Sequence, residues 1–113
     1  MTSLDTPQRD HPGPDLDTVD GITVLHALSD PVRLEIVRQL AGCTGPGELK
    51  CGQIEVPVKK STASHHLKTL YEAGIIAKRE QGTSKLMRLR RAELDARFPG
   101  LIDTVLRATA AVS

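Results

Sequence analysis

The spacing of apolar residues predicts two helices in the first third of the chain. Apolar side chains recur every three positions over residues 17–28, so they share one face of a first helix with Asp17 as its N-cap. The second helix has a clearer start, because Asp30 can accept hydrogen bonds from free amides and Pro31 suits the first helical position. The glycine-rich residues 42–47 cannot continue it, so we expect its end near Ala41.

The middle of the chain predicts a short helix, a sharp break and a longer helix. The short helix fits residues 49–56 and is ended by Pro57. After the break, Ser61 is the expected N-cap of a helix that continues through Ala73 and stops at Gly74. Its inward face consists of Ala63, Leu67 and Leu70.

An extended pattern then replaces the helical one. Residues 75–80 and 85–90 predict two strands of a hairpin, joined by a four-residue loop at 81–84, longer than the tightest hairpin connection. Helices are expected over residues 92–97 and 99–112. A short helix, a tight break, a longer helix and a hairpin, in this order, predict a mainly α fold of the winged helix-turn-helix type.

Length and composition indicate one domain preceded by a tail. Of the 113 residues, 39% are hydrophobic but only 2% are aromatic, so the core must consist of Leu, Ile, Val and Ala. Residues 1–16 are acidic and rich in proline, and we expect them to be a disordered tail, with the folded domain over residues 17–113. No apolar stretch is long enough to span a membrane and no leader is visible, which predicts a cytoplasmic protein.

Charge is distributed unevenly along the chain. The formal net charge is +1, yet residues 1–20 have a net charge of −4, and residues 57–91 contain nine Lys and Arg against two Glu, a net charge of +7. A basic block of this density is typical of a protein that binds a polyanion, although a solvated charged surface is the alternative. The scarcity of aromatic rings disfavours a single-strand or RNA binder, and no catalytic motif is visible, so we expect no enzyme activity.

Two segments resemble the ArsR/SmtB family of bacterial winged-helix repressors. They are HALSDPVRLEIVRQL, which begins at His26, and KSTASHHLKTLYEAGII, which begins at Lys60. The resemblance covers roughly residues 20–110 and implies a homodimeric repressor that binds double-stranded operator DNA. It also implies release of the operator when an inducer, often a metal ion, binds; the sequence does not identify the inducer.

The ligand pattern does not support metal sensing. Metal-sensing members of the family typically have two cysteines, separated by one residue, in the helix before the turn. This chain has Lys50 and Gly52 at those two positions, with a single thiol, Cys51, between them. A second family site uses Asp and His on the last helix; this chain offers Asp103 but no histidine from Arg107 onward. We therefore expect no metal cofactor.

One face of the helix that begins near Ser61 carries the predicted DNA contacts. Hydroxyl and imidazole groups can read base edges in a major groove, and lysines can contact phosphates. The predicted base contacts are Thr62, Ser64 and His65, with Ser61 on the same outward face, and the predicted phosphate contacts are Lys59, Lys60 and Lys68. His66 lies beside the apolar stripe and is either a packing residue or a phosphate contact. A half-buried histidine pair, or two chance metal ligands, is the alternative for His65 and His66.

The hairpin supplies two further candidates, Arg79 and Lys85, which flank its tip and would contact the DNA backbone or minor groove. Alternatively, the basic residues of the hairpin only keep a strand edge soluble. Cys43 and Cys51 flank part of the glycine-rich connection, where a reversible disulfide would couple redox state to DNA affinity; two structural cysteines are the alternative.

Apolar surface left over on the first and last helices predicts a homodimer. A domain of this size cannot cover both helices within its own core, although packing on their own domain remains the alternative. The predicted interface residues are Ile22, Leu25, Leu101, Ile102, Val105 and Leu106. The sequence thus predicts a sequence-specific DNA-binding regulator, a dimeric repressor on an inverted-repeat operator. The alternatives are a redox-responsive or small-ligand-responsive version of it, and a winged-helix protein-interaction module that does not bind DNA.

Overall fold

The computed structural model describes residues 8–42, 48–50 and 53–110. A short 3-10 helix at Leu16–Thr18 precedes the first α-helix. In chain order the strands and α-helices are β1 (Gln8–His11), α1 (Gly21–Leu28), α2 (Pro31–Ala41), β2 (Glu48–Lys50), α3 (Lys60–Glu72), β3 (Ile76–Gln81), β4 (Ser84–Leu89), α4 (Arg91–Arg97) and α5 (Leu101–Ala108). Within these ranges no helix is both long enough and apolar enough to cross a lipid bilayer.

Aspartate side chains set the beginnings of the first two α-helices. Asp20 caps α1 by accepting a hydrogen bond of 2.9 Å from the amide of Ile22, so the prediction of Asp17 as the N-cap is wrong. Several aspartates precede this helix, and the one adjacent to the first helical turn makes the bond. The start and end predicted for α2 are confirmed, and Asp30 accepts hydrogen bonds from the amides of Val32 (2.8 Å) and Arg33 (3.2 Å). Desolvation raises the pKa of Asp30, but these bonds outweigh it and the pKa is lowered.

The short helix predicted over residues 49–56 is wrong for residues 49–50 and 54–56, and among the described residues of this segment only Gln53 has 3-10 helical backbone. Residues 48–50 form β2, in which Leu49 lies opposite Met87 of β4, and residues 54–56 are not helical. Pairing with a neighbouring strand outweighs the weak helical preference of so short a segment. Residues 54–59, which lead into α3, are irregular.

Helix α3 begins two residues earlier than predicted and ends one residue earlier, at Glu72. Lys59 occupies the N-cap position without a side-chain hydrogen bond, and Ser61 lies in the first turn, so the prediction of Ser61 as N-cap is wrong. At the other end Gly74 has a φ of 81°, and the amides of Gly74 and Ile75 donate to the carbonyls of Tyr71 and Leu70, each at 3.0 Å. This pair of bonds is a Schellman motif, which requires the left-handed conformation that glycine adopts without strain.

The predicted hairpin is confirmed, but its connection is tighter than predicted and it belongs to a larger sheet. Gln81 lies opposite Ser84, which leaves only two residues, Gly82 and Thr83, in the turn. The antiparallel sheet has the order β1-β3-β4-β2, so one short strand flanks each side of the hairpin. Both added strands are too short to show an alternating pattern in the sequence.

The prediction of a disordered tail is wrong for residues 8–16. Residues 8–11 form β1 on the edge of β3, and Leu16 is buried in the core. Edge pairing uses backbone hydrogen bonds, which a polar segment forms as readily as an apolar one. Residues 1–7 lie outside the described residues.

The core lies between the helices and the sheet. Its largest fully buried side chains belong to five elements or their ends, and they are Ile36, Leu70, Ile75, Ile76, Leu94 and Ile102. α4 matches its prediction to within one residue, whereas α5 is shorter than the predicted 99–112 and spans Leu101–Ala108. The hydrophobic core thus fixes α3 against α2 and the hairpin, which positions the candidate site.

Candidate nucleic-acid interface

Helix α3 buries one face and exposes the other. Leu67 and Leu70 are 6% and 0% exposed, whereas the opposite face is polar and basic. The predicted contact residues on this helix and just before it that are exposed are Lys59, Lys60, Ser61, Thr62, Ser64, His65 and Lys68. The outward face predicted from helical spacing is therefore present, and it offers hydroxyl, imidazole and ammonium groups together.

His66 differs from its neighbour His65 because it is half-buried against α2. Its Nδ1 lies 3.1 Å from Nη1 of Arg33. The guanidinium of Arg33 also donates from Nε to the carbonyl of Ala27, at 2.6 Å. Since a guanidinium can only donate, Nδ1 of His66 is the acceptor in this contact. This half-buried position and the contact with Arg33 favour the packing role for His66 over a phosphate contact. Sequence reasoning missed Arg33, although it lies within the first segment that carries the resemblance.

The hairpin tip lies beside the first half of α3. Residues 83–85 of the tip and Lys60, Ala63, Ser64 and Leu67 of α3 line one cleft of about 720 Å³. Lys85 is exposed at this cleft, so the structure brings it together with the predicted contacts of α3. The hairpin therefore has the position of a wing beside a recognition helix.

Arg79, the other predicted hairpin contact, is engaged inside the sheet. Its Nη2 and Nε donate to the two carboxylate oxygens of Glu48 at 2.7 and 3.1 Å, and its Nη1 donates to Oε1 of Gln81 at 3.2 Å. The hydrogen bond from Arg79 lowers the pKa of Glu48, and the same bond raises the pKa of Arg79. A phosphate contact by Arg79 would require this bidentate ion pair to open.

The nine basic side chains of residues 57–91 differ in their contacts. Arg79, Arg90 and Arg91 form ion pairs with acidic side chains, and Arg90 is buried while it donates to both oxygens of Glu93. In contrast, four exposed lysines form no ion pair within the described ranges, namely Lys59, Lys60, Lys68 and Lys85. The half-buried Lys78 and Arg88 form no ion pair there either, and Nζ of Lys78 lies 4.1 Å from the centre of the Tyr71 ring. The positive charge that is available to a polyanion is therefore concentrated on α3 and the hairpin tip.

The described residues cover only part of the metal sites that the family resemblance implies. Among them, no group of three or more His, Cys, Asp and Glu is arranged to hold a metal ion. Asp103, the remaining candidate on α5, lies 3.1 Å from Arg107 and 3.7 Å from Arg91. Cys43 and Cys51 lie outside the described residues.

The predicted dimer residues divide by their exposure. Ile22 and Leu25 of α1 are 70% and 48% exposed, which is unusual for large apolar side chains. Leu101, Val105 and Leu106 of α5 are half-buried. Ile102 is only 1% exposed and packs in the core of its own chain, so it has no surface to offer a partner. The apolar surface on this side comes mainly from α1.

A basic exposed helix with a hairpin tip beside it is an arrangement typical of winged helix-turn-helix proteins, a class that binds DNA. Residues 28–79 match the family model described as "Helix-turn-helix domain". The chain is 38% identical over 84 residues to the HTH-type transcriptional regulator YceK of Bacillus subtilis (strain 168), covering 73% of this chain and 82% of that protein. It is 37% identical over 75 residues to an arsenical resistance operon repressor of Staphylococcus xylosus, covering 65% of this chain and 68% of the repressor.

A solved structure shares the fold. An ArsR-like transcriptional regulator from Rhodococcus sp. RHA1 superposes with a TM-score of 0.58 at 21% sequence identity, covering 80% of this chain and 93% of that one. The chain belongs to the ArsR family of winged helix-turn-helix transcriptional regulators. It is therefore a DNA-binding regulator, and the relatives are named as regulators rather than as enzymes.

Proposed function

We propose that this protein is a cytoplasmic repressor that occupies an inverted-repeat operator as a homodimer. One observation carries the proposal: the exposed polar face of α3 and the hairpin tip adjoin each other, and they and the residue before α3 hold four exposed lysines, none of which forms an ion pair with the described residues. A repressor of this kind blocks transcription by occupying its site. The relative named as an arsenical resistance operon repressor supports this mode of action.

Helix α3 is the proposed recognition helix. Its 13 residues rise about 20 Å, and a major groove about 12 Å wide admits one such helix. Thr62, Ser64 and His65 would contact base edges, while Lys60 and Lys68 would contact phosphates on either side of the groove. His66 would not contact DNA in this arrangement, because its ring is held by Arg33.

Lys85 is the proposed wing contact with the DNA backbone. It is exposed and lies at the cleft shared with α3, so one rigid placement of the domain brings both to the same stretch of duplex. Arg79 would contribute only in a second step, after its ion pair with Glu48 exchanges for a phosphate.

A second copy of the chain is the proposed partner of α1 and the adjoining α5. The exposed Ile22 and Leu25 support this, since burying them between two copies removes apolar surface from water. Two-fold pairing would separate the two recognition helices by about 34 Å, one turn of B-DNA.

We also propose that a soft metal ion is not the signal. Ion pairing of Asp103 and the lack of a ligand cluster among the described residues support this. Titration of a protein–operator complex with zinc and with arsenite should leave duplex affinity unchanged, and release of the operator by either one would refute this part of the proposal.

Selection from a random pool of DNA duplexes tests the proposal, because it requires no assumption about the operator sequence. The expected product is an inverted repeat whose half-sites are centred about one helical turn apart. A variant with Ser64→Ala and His65→Ala should lose the enriched sequence while keeping weak binding to any duplex, since its lysines remain. Recovery of no enriched duplex would favour the protein-interaction module instead.

A further inference from the structure

The cleft between α3, the hairpin tip and the segment before α3 has the size and lining of a small-molecule site. Its volume of about 720 Å³ lies within the roughly 300–1,000 Å³ typical of ligand pockets. Its wall is apolar on three sides: Ile36 comes from α2, Val56 and Val58 from the segment before α3, and Leu67 from α3. These apolar side chains are half-buried or buried, so the cleft is an indentation of the core rather than a crease on the surface.

The wall formed by the segment before α3 is held in place by hydrogen bonds to α2. Gln39 donates from Nε2 to the carbonyl of Glu55 at 2.6 Å and accepts at Oε1 from the amide of Glu55 at 3.0 Å. Two bonds to one residue fix the backbone between Ile54 and Val56, and both of these side chains line the cleft. This wall of the cleft therefore has a backbone conformation that is fixed by hydrogen bonds to α2.

The charge at the cleft is of one sign. Lys60 and Lys85 approach it from α3 and from the hairpin tip, and Ser64, Thr83 and Ser84 add hydroxyl groups. Among the described residues that line the cleft, none is acidic. An apolar wall with two ammonium groups and several hydroxyls complements a molecule with an apolar body and an anionic head.

We propose that this cleft binds an amphipathic organic anion, an aromatic or aliphatic carboxylate, and that the anion is the inducer that releases DNA. The inducer role rests on the proposed DNA-binding function, because Lys60 and Lys85 are also proposed phosphate contacts. A carboxylate paired with these two lysines cancels positive charge that the phosphates require, and it adds negative charge beside them. Occupancy of the cleft therefore lowers affinity for the operator.

Three probe molecules with the same ring separate the effect of the head group's charge on binding from the effect of the ring's fit in the cleft. Naphthoate, naphthylmethanol and naphthylmethylammonium share the same ring and carry negative, zero and positive charge. Calorimetric titration of the full chain without DNA should show saturable binding of naphthoate, about tenfold weaker binding of the alcohol, and no binding of the ammonium compound. Equal affinity for naphthoate and the alcohol, or no saturable binding of naphthoate, would overturn the proposal.

Two variants place the binding in the cleft. Ala63→Leu adds three carbon atoms to the wall on a helical residue, and should weaken naphthoate binding at least about tenfold. The same substitution at the exposed Ala92 on α4, outside the cleft, is the matched control and should bind naphthoate as the unchanged chain does. Naphthoate binding by Ala63→Leu at unchanged affinity would contradict the site.

The double variant Lys60→Gln, Lys85→Gln keeps the apolar wall and does not depend on how well Ala63→Leu folds. It should bind naphthoate about tenfold more weakly and naphthylmethanol as before, since each exposed lysine contributes about threefold. Arg107→Gln, which removes an exposed positive charge on α5 outside the cleft, is the charge control. An unchanged naphthoate affinity in the double variant would show that the lysines do not hold the head group and would overturn the anion proposal.

Measurements with and without DNA distinguish the two proposals. If the chain binds its selected duplex but not naphthoate, the inducer site is wrong and the repressor function stands. If it binds naphthoate through the cleft but has no affinity for any duplex, the repressor function is wrong and the site remains. If the chain binds both its selected duplex and naphthoate, saturating naphthoate should lower its affinity for the duplex, and an unchanged or higher affinity would overturn the inducer role.

Discussion

Nη1 of Arg33 on α2 lies 3.1 Å from Nδ1 of His66 on α3, so one guanidinium joins the proposed recognition helix to the rest of the domain. The same group donates to the carbonyls of Ala27 and His26 at the end of α1, at 2.6 and 3.4 Å. Arg33 therefore sets the position of α3 relative to two other helices. Its planar fork can serve several acceptors at once, which a lysine cannot do.

Substitution of Arg33 should both destabilise the fold and weaken DNA binding. Arg33→Lys keeps the charge but loses the fork, and we expect a loss of about 1–3 kcal/mol in the free energy of unfolding. Urea unfolding measures it. A double-mutant cycle with His66→Ala isolates the contact between the two residues. If the effects of the two substitutions are strictly additive, the contact does not couple α2 and α3.

The Glu48–Arg79 pair predicts a dependence of stability on pH. The hydrogen bond from Arg79 holds the pKa of Glu48 below its ordinary value of 4.5. A carboxylate whose pKa is lowered by folding stabilises the fold above its unfolded pKa, and this stability is lost as the pH falls through the folded pKa. The free energy of unfolding of the wild type should therefore decrease as the pH is lowered below about 4.5.

The variant Glu48→Gln should be less stable at neutral pH and should show a shallower decline under acid conditions. Arg79→Gln combined with Glu48→Gln is the matched control, since it removes both partners and leaves no unpaired charge. An acid decline of the same steepness in Glu48→Gln and in the wild type would contradict this assignment.

Two glycines with positive φ should differ in their tolerance of alanine. Gly82 in the hairpin turn has a φ of 62°, and a Cβ there meets no described atom within 4 Å, so Gly82→Ala should cost only the backbone strain, about 1–2 kcal/mol. Gly74 has a φ of 81°, and a Cβ would lie 2.6 Å from Cδ2 of the buried Leu16. Gly74→Ala should therefore cost roughly 1 kcal/mol more in thermal or urea unfolding. Equal costs would mean that Leu16 moves aside freely.

Neutralising the exposed lysines of α3 should change the salt dependence of DNA binding. Each phosphate contact contributes about −0.9 to the slope of log affinity against log salt concentration on duplex DNA. Lys60→Gln and Lys68→Gln should each reduce the magnitude of the slope by about that amount, measured by fluorescence anisotropy at several salt concentrations. Arg107→Gln, whose side chain is 79% exposed on α5, is the control and should keep the full slope. An unchanged slope in both lysine variants would exclude α3 as the contact with phosphates.

An acidic side chain on the apolar surface of α1 should break the proposed dimer. Ile22 is 70% exposed, so Ile22→Asp leaves the core of the chain intact and should give particles of 12.2 kDa in sedimentation at micromolar concentration. Thr23→Asp, on the exposed neighbouring position of the same helix, is the matched control and should remain a dimer. A wild-type chain that sediments only as a monomer would refute the dimer itself.

The sequence by itself determined the elements whose signals are local. Asp30 and Pro31 define the beginning of α2, Gly74 defines the end of α3, and helical spacing divides α3 into a buried and an exposed face. Each of these depends on hydrogen bonds or packing between residues close in the chain, and such interactions are visible in the order of residue types. The resemblance to the ArsR/SmtB family also came from the sequence, from the segments that begin at His26 and Lys60.

Only the tertiary structure decided the features that join distant parts of the chain. Residues 8–11 and 48–50 became strands because β3 and β4 offered them free edges, not because of their own composition. Arg79 and Lys85 are both basic residues of the hairpin, yet a carboxylate 31 positions away in the chain engages Arg79 and leaves Lys85 exposed at the cleft. An ion pair or a cleft depends on which residues are in contact in the folded chain, and the spacing of residues along one sequence does not show which distant residues come into contact.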